Sequence, residues 1–187
     1  MDHSELTALD RRYVMQTYGR FDVDIDHGTG ATLYDLAGRE YIDFTSGIGV
    51  CSLGYADEGW VNAITEQAGK LGHISNLFYS QPYARLAGAL CARSGMAAAF
   101  FGNSGAEANE GLLKLARKYS HDKYGTGRGT ILTLRNSFHG RTLATLAATG
   151  QDVFHQHFFP FPEGFRHTGA NDLADVEAQA GEDVCAV

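Results

Sequence analysis

Phe100-Phe101-Gly102-Asn103-Ser104-Gly105-Ala106-Glu107-Ala108-Asn109-Glu110 (FFGNSGAEANE) leads from an apolar patch through a glycine bend into a helix-forming run. Residues 96–101 are the longest unbroken apolar run of the chain and read as a buried strand, and residues 106–121 as a helix. Ser104 with Glu107 three positions later forms a capping box, in which each side chain satisfies the other residue's backbone N–H. Strand, glycine turn and helix start in that order also leave several N–H groups at the positive end of a helix dipole, where a phosphate binds. Two readings stay open from these residues alone: a well-made helix start, or a helix start that also holds a phosphate.

Outward from this stretch the chain alternates strand and helix patterns. Residues 130–134 (TILTL) form a second strand, and 183–187 (DVCAV) read as the opening of another. Such alternation implies crossover connections and a mostly parallel sheet with flanking helices. Upstream, Val61, Ile64, Ala68 and Leu71 mark one face of a helix that begins near Glu58, and Leu86, Ala87 and Leu90 mark a second over 83–93. Before Glu58 the pattern changes to short extended patches separated by Gly28, Gly30 and Gly38, a β-rich segment of hairpins. The expected division is therefore 1–60 and 61–187. Ala108, Leu112, Leu115, Ala116 and Tyr119 form the stripe expected to pack the 106–121 helix on the sheet. Lys114, Arg117, Lys118 and Lys123 read as its solvated face.

Composition narrows the function classes. A net charge of −7 and a pI near 5.5 argue against nucleic acid or an anionic membrane surface as partner and favour a small-molecule ligand. Cys51, Cys91 and Cys185 are odd in number, widely spaced and without a CxxC pair, so neither a disulfide framework nor a metal site is expected, in keeping with a cytoplasmic protein. His139, His155 and His157 have no acidic or thiol partner at ligand spacing. Gly125-Thr126-Gly127-Arg128-Gly129 precedes a strand instead of joining strand to helix, and reads as a loop.

Directly after the second strand comes Asn136-Ser137-Phe138-His139-Gly140-Arg141-Thr142, at the carboxyl end of a parallel strand, where ligands collect in α/β sheets. Phe138 offers a flat face to an aromatic ring, and Arg141 a two-pronged donor for a carboxylate. Taken singly, they read as a packed aromatic and a surface cation.

Four stretches in order, RFDVDIDHGTGATLYDLAGREYIDFTSGIGVCSLGY, HISNLFYSQP, FFGNSGAEANEGLLKLARK and NSFHGRTLATLAATG, resemble the class III, fold-type I aminotransferases that use pyridoxal 5'-phosphate, and the resemblance runs nearly end to end. It implies a partial fold-type I fold, α/β, in which 1–60 belongs to a small domain and 61–187 to an incomplete cofactor-binding large domain. It further implies that Ser104, Gly105 and Ala106 hold the cofactor phosphate, that Phe138 stacks on the pyridine ring and that Arg141 meets a substrate carboxylate. The function implied is transfer of an amino group from N-acetylornithine to 2-oxoglutarate in arginine biosynthesis, by a cytoplasmic homodimer. Ornithine, 4-aminobutyrate and succinylornithine are the alternative donors, and a non-catalytic phosphate-binding module is the alternative from another class.

The same family requires an Asp in a D-E-x-Q segment, paired with the pyridine nitrogen, and a Lys that forms a Schiff base with the cofactor. The lysines here are Lys70, Lys114, Lys118 and Lys123, all in helical patterns, and Asp57-Glu58 lies too early in the order. The chain is accordingly expected to be an N-terminal fragment, inactive by itself.

Overall fold

A computed structural model describes residues 1–187. Contacts divide the chain into two units, residues 1–79 and 80–187.

The first unit opens with α1 (His3–Tyr13), which sequence reading did not anticipate. Its start is a reciprocal cap: the Asp2 carboxylate accepts the Glu5 N–H at 2.9 Å, and the Glu5 carboxylate accepts the Asp2 N–H at 3.0 Å. The expected hairpins follow as an antiparallel meander of β1 (His27–Thr29), β2 (Thr32–Tyr34) and β3 (Glu40–Ile42), with Leu33 opposite both Gly28 and Tyr41. Carboxylates organise this unit. Asp35 is buried in the β2–β3 turn and accepts from the Ala37 N–H, the Arg39 N–H and Nε, and the Tyr41 hydroxyl, all within 3.0 Å. Burial pushes its carboxyl up, but the bonds from Arg39 and Tyr41 outweigh that and hold it at about 2. Asp24, also buried, accepts the Leu36 N–H at 3.1 Å and lies 2.7 Å from His3 Nδ1 of α1.

Asp43 takes the Thr45 hydroxyl and N–H and the Tyr55 hydroxyl, bonds that hold its carboxyl at about 2 and push the Tyr55 phenol up to about 12. Beyond it, α2 (Ser46–Gly49) is a single left-handed turn, with Ser46, Gly47, Ile48 and Gly49 at φ 48°, 59°, 62° and 83°. Left-handed backbone is uncommon for a β-branched residue such as Ile48. Next, α3 (Glu58–Lys70) starts where expected, its Asp57 cap accepting the Trp60 N–H at 2.8 Å, yet Val61, Ile64 and Leu71 are exposed.

The second unit contains α4 (Gln81–Ser94), which ends at Gly95 with φ 73°, then α5 (Gly105–Tyr124), β4 (Thr130–Leu134), α6 (Leu143–Ala148), β5 (Phe165–Thr168), α7 (Leu173–Gln179) and β6 (Val184–Ala186). The three strands form a parallel sheet in the order β5-β4-β6, with Ile131 opposite Phe165 and Thr130 opposite Val184. A helix precedes each of the strands joined to β4, as crossover connections require. The core gathers on β4, α6 and β6: Ile131, Leu132, Leu146, Ala147, Ala148 and Val184 are buried, Leu132 at 1% exposure.

Two expectations fail here. Residues 96–101 form neither a strand nor a buried element; Met96 and Phe100 are exposed. A strand exists only through ladder bonds to a neighbour, and the three sheet strands pair with one another instead. The stripe Leu112, Leu115 and Tyr119 on α5 is also exposed, while Ala106, Asn109, Leu113, Ala116, Arg117 and Ser120 turn inward. Polar tethers set this rotation. The buried Ser120 hydroxyl donates to the Arg128 carbonyl at 2.8 Å. Arg117, expected in solvent, donates to the Gly129 and Glu163 carbonyls at 3.0 and 2.9 Å and lies over the Phe165 ring.

Exposure is large throughout. The accessible surface is 14400 Å² for 20.2 kDa. A compact monomer of this mass exposes roughly 9000 Å², and two compact units wholly apart still only about 10,500 Å².

Candidate active site

The N-terminus of α5 and the loop after β4 meet in the second unit. Ser104 caps the helix, its hydroxyl accepting the Glu107 N–H at 3.2 Å as the sequence predicts. The reciprocal half of the cap differs: Glu107 folds back onto the Asn103 N–H, one residue earlier than a capping box requires. Helix geometry leaves the N–H groups of Gly105 and Ala106 without a carbonyl four residues back. Nothing lies within 4 Å of the place a Cβ would occupy at Gly105, so there is open space beside the first residue of the helix.

Loop 136–142 is fastened to the helix from several sides. Asn109, one turn along α5, donates from Nδ2 to the His139 carbonyl at 2.7 Å, and the Glu110 carboxylate accepts the Thr142 hydroxyl at 2.5 Å. At Gly140, φ is 134°, and an added Cβ would lie 2.7 Å from both the Ala106 Cβ and Thr145 Oγ1. Only glycine allows the loop to come this close to the helix end. The His139 N–H donates to Thr149 Oγ1 at 2.9 Å, and Gln151 Nε2 donates to the Ser137 carbonyl at 2.9 Å. Thr142 then caps α6, sharing a reciprocal capping box with Thr145.

Phe138 and Arg141 project from this fastened loop side by side. The Phe138 ring is 53% exposed and meets Phe154 edge-on at 6.0 Å between centroids. The Arg141 guanidinium carbon lies 5.6 Å from the Phe138 ring centroid, within cation–π range. The structure thus gathers an open helix end at Ser104, Gly105 and Ala106, an accessible aromatic face and a guanidinium around one loop. An anion at the helix end, a flat ring and a carboxylate are the chemical groups that this set suits.

Sequence reading did not single out Asn109 or Glu110. Their place within the first two turns after the NSGA motif was the available signal, but their partners lie 30 and 32 residues away. Behind the loop, a cavity of about 280 Å³ lies between α5 and the sheet, lined by Leu112, Leu113, Ala116, Ile131 and His139 among others. His139 Nε2 is buried without a hydrogen-bond partner, and burial lowers the imidazole's affinity for a proton. The lysines all lie on helices, Lys70 paired with Glu66 and Lys118 with Asp122. Lys114, nine residues beyond Gly105, is about 13 Å farther along the α5 axis.

A parallel sheet with a helix N-terminus and a loop meeting at the strand's carboxyl edge is an arrangement that suits a cofactor-dependent enzyme. The chain belongs to the class-III aminotransferase family, whose model matches residues 13–187; its members are pyridoxal-phosphate enzymes. The chain is 56% identical to an acetylornithine aminotransferase of Haemophilus ducreyi, over 100% of its own length and 48% of that protein. With the acetylornithine aminotransferase of Methanothermobacter thermautotrophicus the identity is 44%, over 100% and 46%. An ornithine aminotransferase from Toxoplasma gondii, with pyridoxal phosphate in partial occupancy at its active site, matches with a TM-score of 0.92 at 27% identity, covering 98% of this chain and 44% of that one. The chain thus spans about half the length of the curated relatives it matches. The structural likeness bears out the partial fold-type I reading.

Proposed function

We propose that this chain is the N-terminal part of a transaminase that moves an amino group from N-acetylornithine to 2-oxoglutarate, working as a cytoplasmic homodimer in arginine biosynthesis. The observation that carries the reading is the fastening of loop 136–142 to the open end of α5, which brings Phe138 and Arg141 to one place beside Gly105 and Ala106. The acetylornithine aminotransferases among its relatives support the choice of donor.

In this reading the N–H groups of Gly105 and Ala106, with the Ser104 hydroxyl beside them, hold the phosphate of pyridoxal phosphate at the helix's positive end. Phe138 covers one face of the ring and limits water there. Arg141 binds a substrate carboxylate and orients the donor, so that its amino group is presented to the ring in a fixed pose. When bound, the cofactor supplies the electron sink that makes the donor's C–H bond acidic. The lysine that bonds to the cofactor and moves the proton, and the Asp facing the pyridine nitrogen, belong in this proposal to the remaining length of the protein. The chain alone is then inactive. The surface exposed beyond that of compact units of this size suits cover by that remaining length and by a second subunit.

The test is a donor panel on the protein at the length of its relatives: N-acetylornithine, ornithine, succinylornithine and 4-aminobutyrate, each with 2-oxoglutarate. N-acetylornithine should give the highest kcat/KM. Arg141→Ala should raise KM or lower turnover, together costing about tenfold or more in kcat/KM, at nearly unchanged cofactor content, because a charge-assisted bond to substrate is lost. Parallel loss of cofactor and activity would assign Arg141 to the fold instead.

A further inference from the structure

Residue His139 lies between the two side chains that the proposed function uses, Phe138 and Arg141, and both of its backbone polar groups, which belong to two successive peptides, are engaged. Its N–H donates to Thr149 Oγ1 at 2.9 Å, and its carbonyl accepts from Asn109 Nδ2 at 2.7 Å. The first bond ties the loop to the end of α6; the second is a side-chain bond from the helix whose N-terminus faces the phosphate. The imidazole Nε2 adds no anchor, being buried without a hydrogen-bond partner. Rotation about the His139 backbone, which both bonds restrain, would swing Phe138 and Arg141 relative to Gly105. Glycine at position 140 removes the side-chain bulk that would otherwise hold the loop off Ala106, so close contact there permits the approach without setting the twist.

We propose that Asn109 is a positioning residue: through its bond to the His139 carbonyl it sets the offset between the phosphate-holding end of α5 and the Phe138–Arg141 pair. The inference rests on the cofactor reading above and deepens it. Asn109 stands four residues beyond Gly105, one turn or about 6 Å along the axis. Phosphate at the helix end and ring against Phe138 are thereby registered by a single helix turn. Glu110, bonded to Thr142 at the other end of the loop, is the second clamp and limits the effect of losing the first to a twist instead of a detachment.

The experiment compares two probes on the protein at the length of its relatives by calorimetry: pyridoxine 5'-phosphate, which has ring and phosphate but no aldehyde, and inorganic phosphate. Asn109→Ala removes the donor, and Asn109→Asp keeps the shape but sets an acceptor against the carbonyl. Each should weaken pyridoxine 5'-phosphate about tenfold, while inorganic phosphate changes less than about twofold, because only the ring-bearing probe needs the register. A helix damaged in a merely structural way would lose both probes in parallel, so equal loss on both, or loss on neither, overturns the proposal. Should the unaltered protein of that length show no preference for pyridoxine 5'-phosphate over inorganic phosphate, the reading of this site falls and this inference with it. A preference that persists undiminished in both variants defeats the inference alone.

Discussion

The two units are held together by different chemistry. In residues 1–79 the buried side chains are carboxylates, Asp24 and Asp35, and the large apolar residues are not fully buried. In residues 80–187 apolar side chains on β4, α6 and β6 form a core, into which the hydroxyls of Thr133, Thr145, Thr149 and Thr168 are packed with their bonds satisfied. The contrast teaches that hydrogen-bond hubs suffice to shape a short meander, whereas bringing a loop and a helix end into register takes a packed platform. The candidate site lies on the unit that has one.

The sharpest break of this contrast is Leu132→Ala. It should cost about 2–5 kcal/mol in chemical denaturation of the second unit, since a fully buried Leu on the central strand leaves a cavity. The amide resonances of β2 and β3 should hardly move; a matching loss there would show that the units are not separately held. Next comes Gly140→Ala, which drives a methyl group against Ala106 at a φ that L residues rarely adopt. Overpacking of this kind costs about 1–3 kcal/mol, and affinity for pyridoxine 5'-phosphate should fall with it. An unchanged affinity would mean that the loop need not touch the helix.

The smallest effect concerns pH and the first unit. Asp35 and Asp43 are held at about 2, below the usual 3.8, so they contribute stability above about pH 4 that is lost as pH falls toward 2. The amides of Ala37, Arg39 and Thr45 should shift across that window while the Leu132 amide stays constant. Asp35→Asn should remove the response at Arg39. A response that survives would place the titrating group elsewhere.

Much of this architecture was legible in the chain itself, for reasons that differ by element. The Asp57 and Ser104 caps, the apolar spacing of α3 and α4, and the β-branched run of β4 are local signals, and those elements form where local physics puts them. Helix α1 was legible too, since Asp2 and Glu5 spell a cap, but its weak apolar face drew no attention. Residues 96–101 show the limit of such reading: strand propensity is local, while a strand's partner is not. The rotation of α5 was hidden for a similar reason. Its apolar stripe suggests one inward face, yet Ser120, Arg117 and Asn109 choose another through partners between 8 and 47 residues away. For the candidate site, Ser104, Gly105, Ala106, Phe138 and Arg141 are proposed from motif order. The clamp that joins them, Asn109 to His139 and Gly140 against Ala106, exists only after folding.

Arg117 carries one more consequence. Its guanidinium grips the Gly129 and Glu163 carbonyls and covers Phe165, so α5 is pinned near its middle to the strand entrances and near its start to the loop at their exits. A helix fixed at two points behaves as a strut. The entropy of orienting its N-terminal donors is spent when the domain folds, and little would be left to lose in holding the proposed phosphate. Lysine at 117, with a single charge centre and no planar fork, would leave the strut hinged at one end.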